Sequence, residues 1–229
     1  NRLHKEWKPK TETGLLSYHN EFQNIDMSKG KWLVLARTRH MLNDLENVLY
    51  ANGMYYRNKF KKAYEKDLYE AVMDWESFRK GKQLNGEQLK RIASYMKPDQ
   101  FSRKRIKEFI SDNLYTIGEL KLKYGLNTDA VWFESFTAAP EKQVHYIRKM
   151  RKNGEELNQE PRILLSTIHG VKGGEADNVV LLTDLSKNTQ SNYERYPDDE
   201  NRLFYVGATR TKNHLHIVRP KDIYKSYRI

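Results

Sequence analysis

Apolar residues along this chain follow two different rhythms. Trp32-Leu33-Val34-Leu35-Ala36 is one unbroken apolar run, the pattern of a strand buried on both faces. Directly after it, Met41, Leu42, Leu45, Val48 and Leu49 recur at helical spacing and form a single stripe. Thr38 can cap that helix and Gly53 can stop it. An earlier strand, Gly14 to Tyr18, is predicted within an otherwise irregular lead-in over 1–29. Beyond residue 58 the apolar strands disappear. Tyr69, Val72, Met73 and Trp75 to Phe78 mark one amphipathic helix, and Val144, Ile147 and Met150 mark another. After Pro161 the first rhythm returns, with strands predicted at Ile163 to Ser166, Val179 to Leu182 and His214 to Val218. Pro197-Asp198-Asp199 sets up a helix from about Glu200, with Leu203, Phe204, Val206 and Gly207 toward the core.

Strands alternating with helices predict an α/β fold, a mostly parallel sheet covered by helices. The middle reads as a mainly helical insertion into it. The divisions fall at 1–57, 58–160 and 161–229.

Composition sharpens the picture. Of 229 residues 38% are hydrophobic and 31% charged, with 41 Lys and Arg against 30 Asp and Glu, a formal charge of +11. Such an excess favours a polyanion partner, because lysine and arginine release counterions from phosphates. The density is greatest over Arg79 to Lys107, ten basic residues against two acidic ones. With no cysteine, disulfides and thiolate metal sites are excluded and an intracellular location is expected. No apolar run approaches the roughly 20 residues that span a bilayer, so no membrane partner is expected. Asn1 is not an initiator methionine, and the chain is expected to begin partway through a longer protein.

The chemistry concentrates between two strands, in S-T-I-H-G-V-K-G-G-E-A-D at 166–177. Glycines let backbone approach a phosphate or sugar, and Lys172, Arg37 and Arg210 supply charge near strand and helix ends. Glu175 would repel phosphate and suits ribose hydroxyls instead. These residues compose one wall of a nucleotide site. The phosphate-cradling G-x-x-x-x-G-K-[S/T] is absent: Gly30-Lys31 leads into Trp32, and residue 25 is isoleucine. No apolar run ending in paired acids is present to hold magnesium.

The blocks T-I-H-G-V-K-G-G-E-A-D-N-V-V-L-L at 167–182 and D-D-E-N-R-L-F-Y-V-G-A-T-R-T-K at 198–212 resemble the fifth and sixth motifs of UvrD/Rep-type superfamily 1 helicases. W-L-V-L-A-R-T-R at 32–39, with Asn52-Gly53-Met54-Tyr55-Tyr56, resembles their fourth. The resemblance implies the second RecA-like domain of an ATP-dependent DNA helicase, with a short insertion where the family carries its 2B subdomain. It implies ATP and Mg2+ as cofactors, the Mg2+ ligands lying on an N-terminal RecA-like half, and single-stranded DNA as the track. Translocation 3′ to 5′ and roles in DNA repair or replication follow by family analogy alone.

By the same resemblance, Arg37 and Arg210 are the catalytic arginines expected at the γ-phosphate. Glu175, Lys172 and Gly173 are expected at the nucleotide, and Thr167 and His169 at the DNA backbone. Asp199 and Glu200 read as helix N-terminal acids, and His214 and His216 as structural. The family's tyrosine before the fourth-motif arginine is Ala36 here, and its Gly-Leu-Glu is Gly173-Gly174-Glu175. Without the upstream half, the chain is expected not to hydrolyse ATP. The alternative is a non-hydrolysing RecA-like module that binds nucleic acid or a partner.

Overall fold

The computed structural model describes residues 13–61, 66–157, 159–171 and 173–228. The chain divides into two compact units, 1–63 with 149–229, and 64–148. Six strands occur among the described residues: β1 Leu15–His19, β2 Trp32–Ala36, β3 Tyr56–Asn58, β4 Ile163–Thr167, β5 Ala176–Leu182 and β6 Thr211–Val218. The helices are α1 Leu42–Ala51, α2 Lys66–Arg79, α3 Gly86–Ser94, α4 Arg103–Ile106, α5 Ile117–Lys123, α6 Trp132–Ser135, α7 Glu141–Lys152, α8 Lys187–Arg195 and α9 Pro197–Ala208.

The first unit is built on one sheet, ordered β1-β6-β5-β2-β4-β3, with every pairing parallel. Its fold class is therefore α/β, as the pattern predicted, with the parallel sheet expected of the RecA-like domain that the resemblance implied. All five residues of β2 are buried because β2 runs centrally, flanked by β4 and β5. Alternate side chains point to opposite faces. On one face Leu33, Leu35, Val179, Leu181 and Ile217 pack with Phe204 of α9, Ile168 and Tyr227. Gly207 permits this close approach, since a Cβ there would lie 3.1 Å from Leu181 Cδ1 and 3.3 Å from Ile168 Cγ2.

Several boundaries differ from the sequence expectations, for local reasons. Thr38 does not cap α1. It precedes a 3-10 turn, Arg39–Met41, and its hydroxyl meets His40 Nδ1 at 3.0 Å, so α1 starts only at Leu42. Gly53 does end α1, with φ +63 and the N–H of Met54 donating to Leu49 C=O at 3.0 Å. β3 is too short, at three residues, to show a period, and it finds its place only by pairing with β4. β5 begins at Ala176, three residues earlier than its apolar run. α9 begins at Pro197, which suits a first helical position, and Val206 faces outward at 38% exposure. α8 was not anticipated.

The second unit has its own core. Trp75, Phe78, Leu89, Phe101, Trp132 and Phe136 are almost fully buried, and Trp75 Nε1 donates to Ala130 C=O at 3.0 Å. Asn85 and Gln88 form a reciprocal capping box at the start of α3. Among the described residues, three of the cations between 79 and 107 have carboxylate partners inside this unit. Arg79 pairs with Glu76, Lys90 with Glu87, and Arg91 with both Glu70 and Asp74. The exposed remainder includes Lys80, Lys82, Lys97, Lys104, Arg105 and Lys107.

Candidate functional site

Parallel pairing places the chemistry-bearing residues at two edges of the sheet. At the carboxyl edge Ala36 is level with Thr167, and Ile168 N–H donates to Ala36 C=O at 3.0 Å. Arg37 and His169 therefore leave adjacent strand ends together. Arg37 Nε donates to Glu200 Oε1 and Oε2 at 3.1 and 2.9 Å, and its Nη2 donates to Oε1 at 2.7 Å. The pair is largely desolvated, the side chains being 18% and 5% exposed. Burial first, and then the Arg37 charge, push the His169 pKa below its ordinary value, with Glu200 opposing. The imidazole is therefore neutral at physiological pH and offers one N–H.

Thr167 is prepared to donate. Its Oγ1 accepts the Gly170 N–H at 3.1 Å, leaving the hydroxyl proton for another acceptor. Gly170 is required here by contact. A Cβ there would lie 2.7 Å from Ser166 Oγ and 3.0 Å from Thr167 Oγ1.

From this edge the chain crosses to the amino edge in the short loop 168–175. Val171 anchors it in the core, and Gly174 N–H donates back to Val171 C=O at 2.9 Å. Gly173 takes φ +78 in open space. Lys172 lies outside the described residues. Glu175 is exposed at the foot of β5. There Ala176 N–H donates to Arg210 C=O at 3.1 Å, and Ala176 is level with Thr211. Glu175 and Arg210 thus stand side by side, one residue ahead of two paired strands. The Arg210 Nε donates to Val206 C=O at 3.0 Å, in the last turn of α9.

The sequence reading expects Arg37 and Arg210 at one phosphate, and the strand register sets their backbones apart. Leu35 is level with Leu181, which puts Ala36 level with Leu182, whereas Arg210 precedes a residue level with Ala176. Six strand residues span roughly 20 Å. The guanidiniums are also held by different ends of α9, at Glu200 and at Val206, roughly 9 Å apart along the helix axis. The structure does not bring them to one point. It groups Arg37 with Thr167 and His169, and Arg210 with Glu175 and Gly173.

Glu200 is a first-turn acid of α9, as expected, and has a further role. It is the buried partner of Arg37, 163 residues away, and nothing in local sequence signals so distant a pairing. The carboxyl edge also carries Arg39, Lys59 and Phe60, which the motif blocks did not single out. Arg39 Cζ sits 4.0 Å over the Phe60 ring, and Lys59 Nζ donates to Gly170 C=O.

His214 and His216 join His19 in a stack on β1 and β6. Ring centroids are 3.8 and 5.2 Å apart, and His19 Nε2 lies 3.0 Å from His216 Nδ1. Burial, then the neighbouring His214 and His19, lower the His216 pKa to about 4. Among the described residues no three His, Asp or Glu side chains are arranged to hold a metal ion.

A family model, the UvrD-like helicase C-terminal domain, matches residues 54–221. The match takes in Thr167, His169, Glu175 and Arg210 and leaves β2 and Arg37 outside. No curated protein matches the chain.

Proposed function

The chain belongs to the UvrD-like helicase C-terminal domain family, and from that membership we propose that it is the C-terminal motor half of an ATP-dependent DNA helicase. In this reading the amino edge of the sheet faces ATP and the carboxyl edge faces single-stranded DNA. The observation that carries it is the loop 168–175, which links the two edges in eight residues through a core-anchored turn. A change in grip at Glu175 and Gly173 is passed to Thr167 and His169 with little slack.

The donor set at the amino edge fits a nucleotide. The exposed carboxylate of Glu175 suits the ribose hydroxyls, and the adjacent Arg210 guanidinium suits a phosphate, while Gly173 leaves room for close approach. Bound ATP would supply hydrolysis free energy. A phosphate loop and Mg2+ ligands would come from an N-terminal RecA-like half. Arg210 is the arginine assigned to the phosphate, where such a group in other NTPases contributes on the order of 10³–10⁵ in rate. Arg37 is reassigned to the DNA side. At the carboxyl edge the Thr167 hydroxyl and the neutral His169 N–H donate to phosphate oxygens, a contact that reads backbone and no sequence. Movement 3′ to 5′ is the direction proposed from the family.

The test separates the edges. In the helicase assembled with its N-terminal half, Arg210→Ala abolishes DNA-stimulated ATP hydrolysis and leaves oligonucleotide binding nearly intact. Thr167→Ala and His169→Ala weaken binding of single-stranded DNA. Normal turnover by the Arg210 variant would sink the assignment of the amino edge to ATP.

A further inference from the structure

Arg39 and Phe60 are absorbed by neither the nucleotide edge nor the phosphate contacts, yet the fold holds them with care. Phe60 lies on a turn, 58–61, braced from three directions. Its N–H donates to the side-chain oxygen of buried Asn58 at 2.9 Å, and Lys61 N–H donates to Asn58 C=O at 3.2 Å. Lys61 Nζ ties the turn to Asn43 and Glu46 of α1, at 2.8 and 2.9 Å. On the other side Lys59 Nζ bonds Gly170 C=O, and the Phe60 ring tip lies 3.5 Å from where a Gly170 Cβ would stand. Half-buried Phe60 therefore abuts the loop that follows Thr167 and carries His169. Arg39 covers its ring at 4.0 Å and is itself exposed. Among the described residues no carboxylate pairs with Arg39. A cleft lined by Arg57, Lys59, Ser166 and Gly170 opens beside the turn.

An exposed arginine usually wanders or finds an acid, because its rotamer entropy is costly to suppress. Here an aromatic ring on a rigid turn orders the guanidinium and leaves its outer surface uncovered. A planar cation, backed by a ring and stripped of competing carboxylates, is suited to a flat, electron-rich partner. The phosphate donors next to it make that partner a nucleobase of the same strand. We propose that Arg39, backed by Phe60, is a base-stacking step on the carboxyl edge, on which one unpaired base of single-stranded DNA rests while Thr167 and His169 hold its backbone. This rests on the assignment of the carboxyl edge to DNA. Stacking uses the π-face common to all bases, so the step is indifferent to sequence.

The experiment compares two single-stranded oligonucleotides of equal length, one of thymidines and one abasic, titrated with the chain at low salt. The parent binds the thymidine strand more tightly, by about 5-fold or more, the scale of one stacked base. Phe60→Leu keeps every charge and the packing against Gly170, and it is expected to lose most of that preference with an unchanged salt slope. Arg39→Lys keeps the charge but not the plane, and it loses the preference likewise. Urea midpoints equal to the parent's confirm that both variants fold. If Phe60→Leu retains the full preference, the stacking step is wrong, even though Thr167→Ala still weakens both strands. If the parent binds neither strand, the carboxyl-edge assignment fails and the step fails with it. If Arg39→Lys and Phe60→Leu act as expected while Thr167→Ala and His169→Ala change nothing, the step stands and the phosphate assignment falls.

Discussion

Replacing Arg37 by alanine removes three hydrogen bonds from one carboxylate. Glu200 is 5% exposed at the side chain, so water cannot readily take the place of the lost guanidinium. Breaking a buried ion pair by deleting one partner costs about 3–5 kcal/mol. Two features of the site reduce that figure. Arg37 is 18% exposed, so some solvent reaches the gap it leaves. Glu200 also lies in the first turn of α9, where the helix dipole favours a negative charge by about 0.3–1 kcal/mol. The expected net loss is about 2–3 kcal/mol. Urea unfolding followed by tryptophan fluorescence measures it, since buried Trp32 reports on the sheet unit. The midpoint should fall with the slope unchanged. A second arm identifies the cause. Arg37→Met combined with Glu200→Leu removes both charges and should recover most of the loss, because an apolar pair of similar volume replaces the buried ions at little cost or with gain. Should Arg37→Ala unfold at the parent's midpoint, or should the double variant lose as much as the single one, the pair would not be holding the end of β2 to α9.

Gly53→Ala forces a side chain into φ +63 and to within 2.3 Å of Lys149 Cβ; a loss of at least about 1–3 kcal/mol is expected by urea titration. Gly170→Ala drives a methyl group against Ser166 and Thr167, so single-stranded DNA affinity should fall together with the melting temperature. Acid should destabilise the β1–β6 face. Because the His216 pKa is lowered to about 4 in the fold from its ordinary value of 6.5, the unfolded chain binds the extra proton first. Its stabilising contribution is complete above about pH 6.5 and is lost as pH falls through about 4, so His216→Phe should flatten the stability profile over that interval. Trp75→Ala opens the aromatic core of 64–148 and leaves Ala130 C=O with the Ser135 hydroxyl as its side-chain donor; a loss of about 3–5 kcal/mol is expected, read by calorimetry.

Legibility from sequence tracked the range of the interaction that decides each feature. Strand β2 was readable because burial on both faces demands an unbroken apolar run, and Gly53 because a left-handed stop needs glycine. The loop between β4 and β5 was readable as chemistry, since histidine, glutamate and close-set glycines have few other uses together. β3 escaped, being three residues held only by β4. Thr38 misled, because its hydroxyl had a nearer partner in His40 than any helix amide.

Residue type and local spacing were thus sufficient to specify an α/β sheet with a helical insertion, and the motif resemblance to mark Thr167, His169, Glu175 and Arg210 as candidate site residues. They could not say which of these residues share an edge. That follows from parallel register, a property of strands far apart in the chain: Ala36 beside Thr167 at one end, Ala176 beside Thr211 at the other. Only this three-dimensional alignment paired Arg37 with Glu200. Charge pairing across 163 residues depends on where the backbone carries each group, and no short-range pattern encodes it.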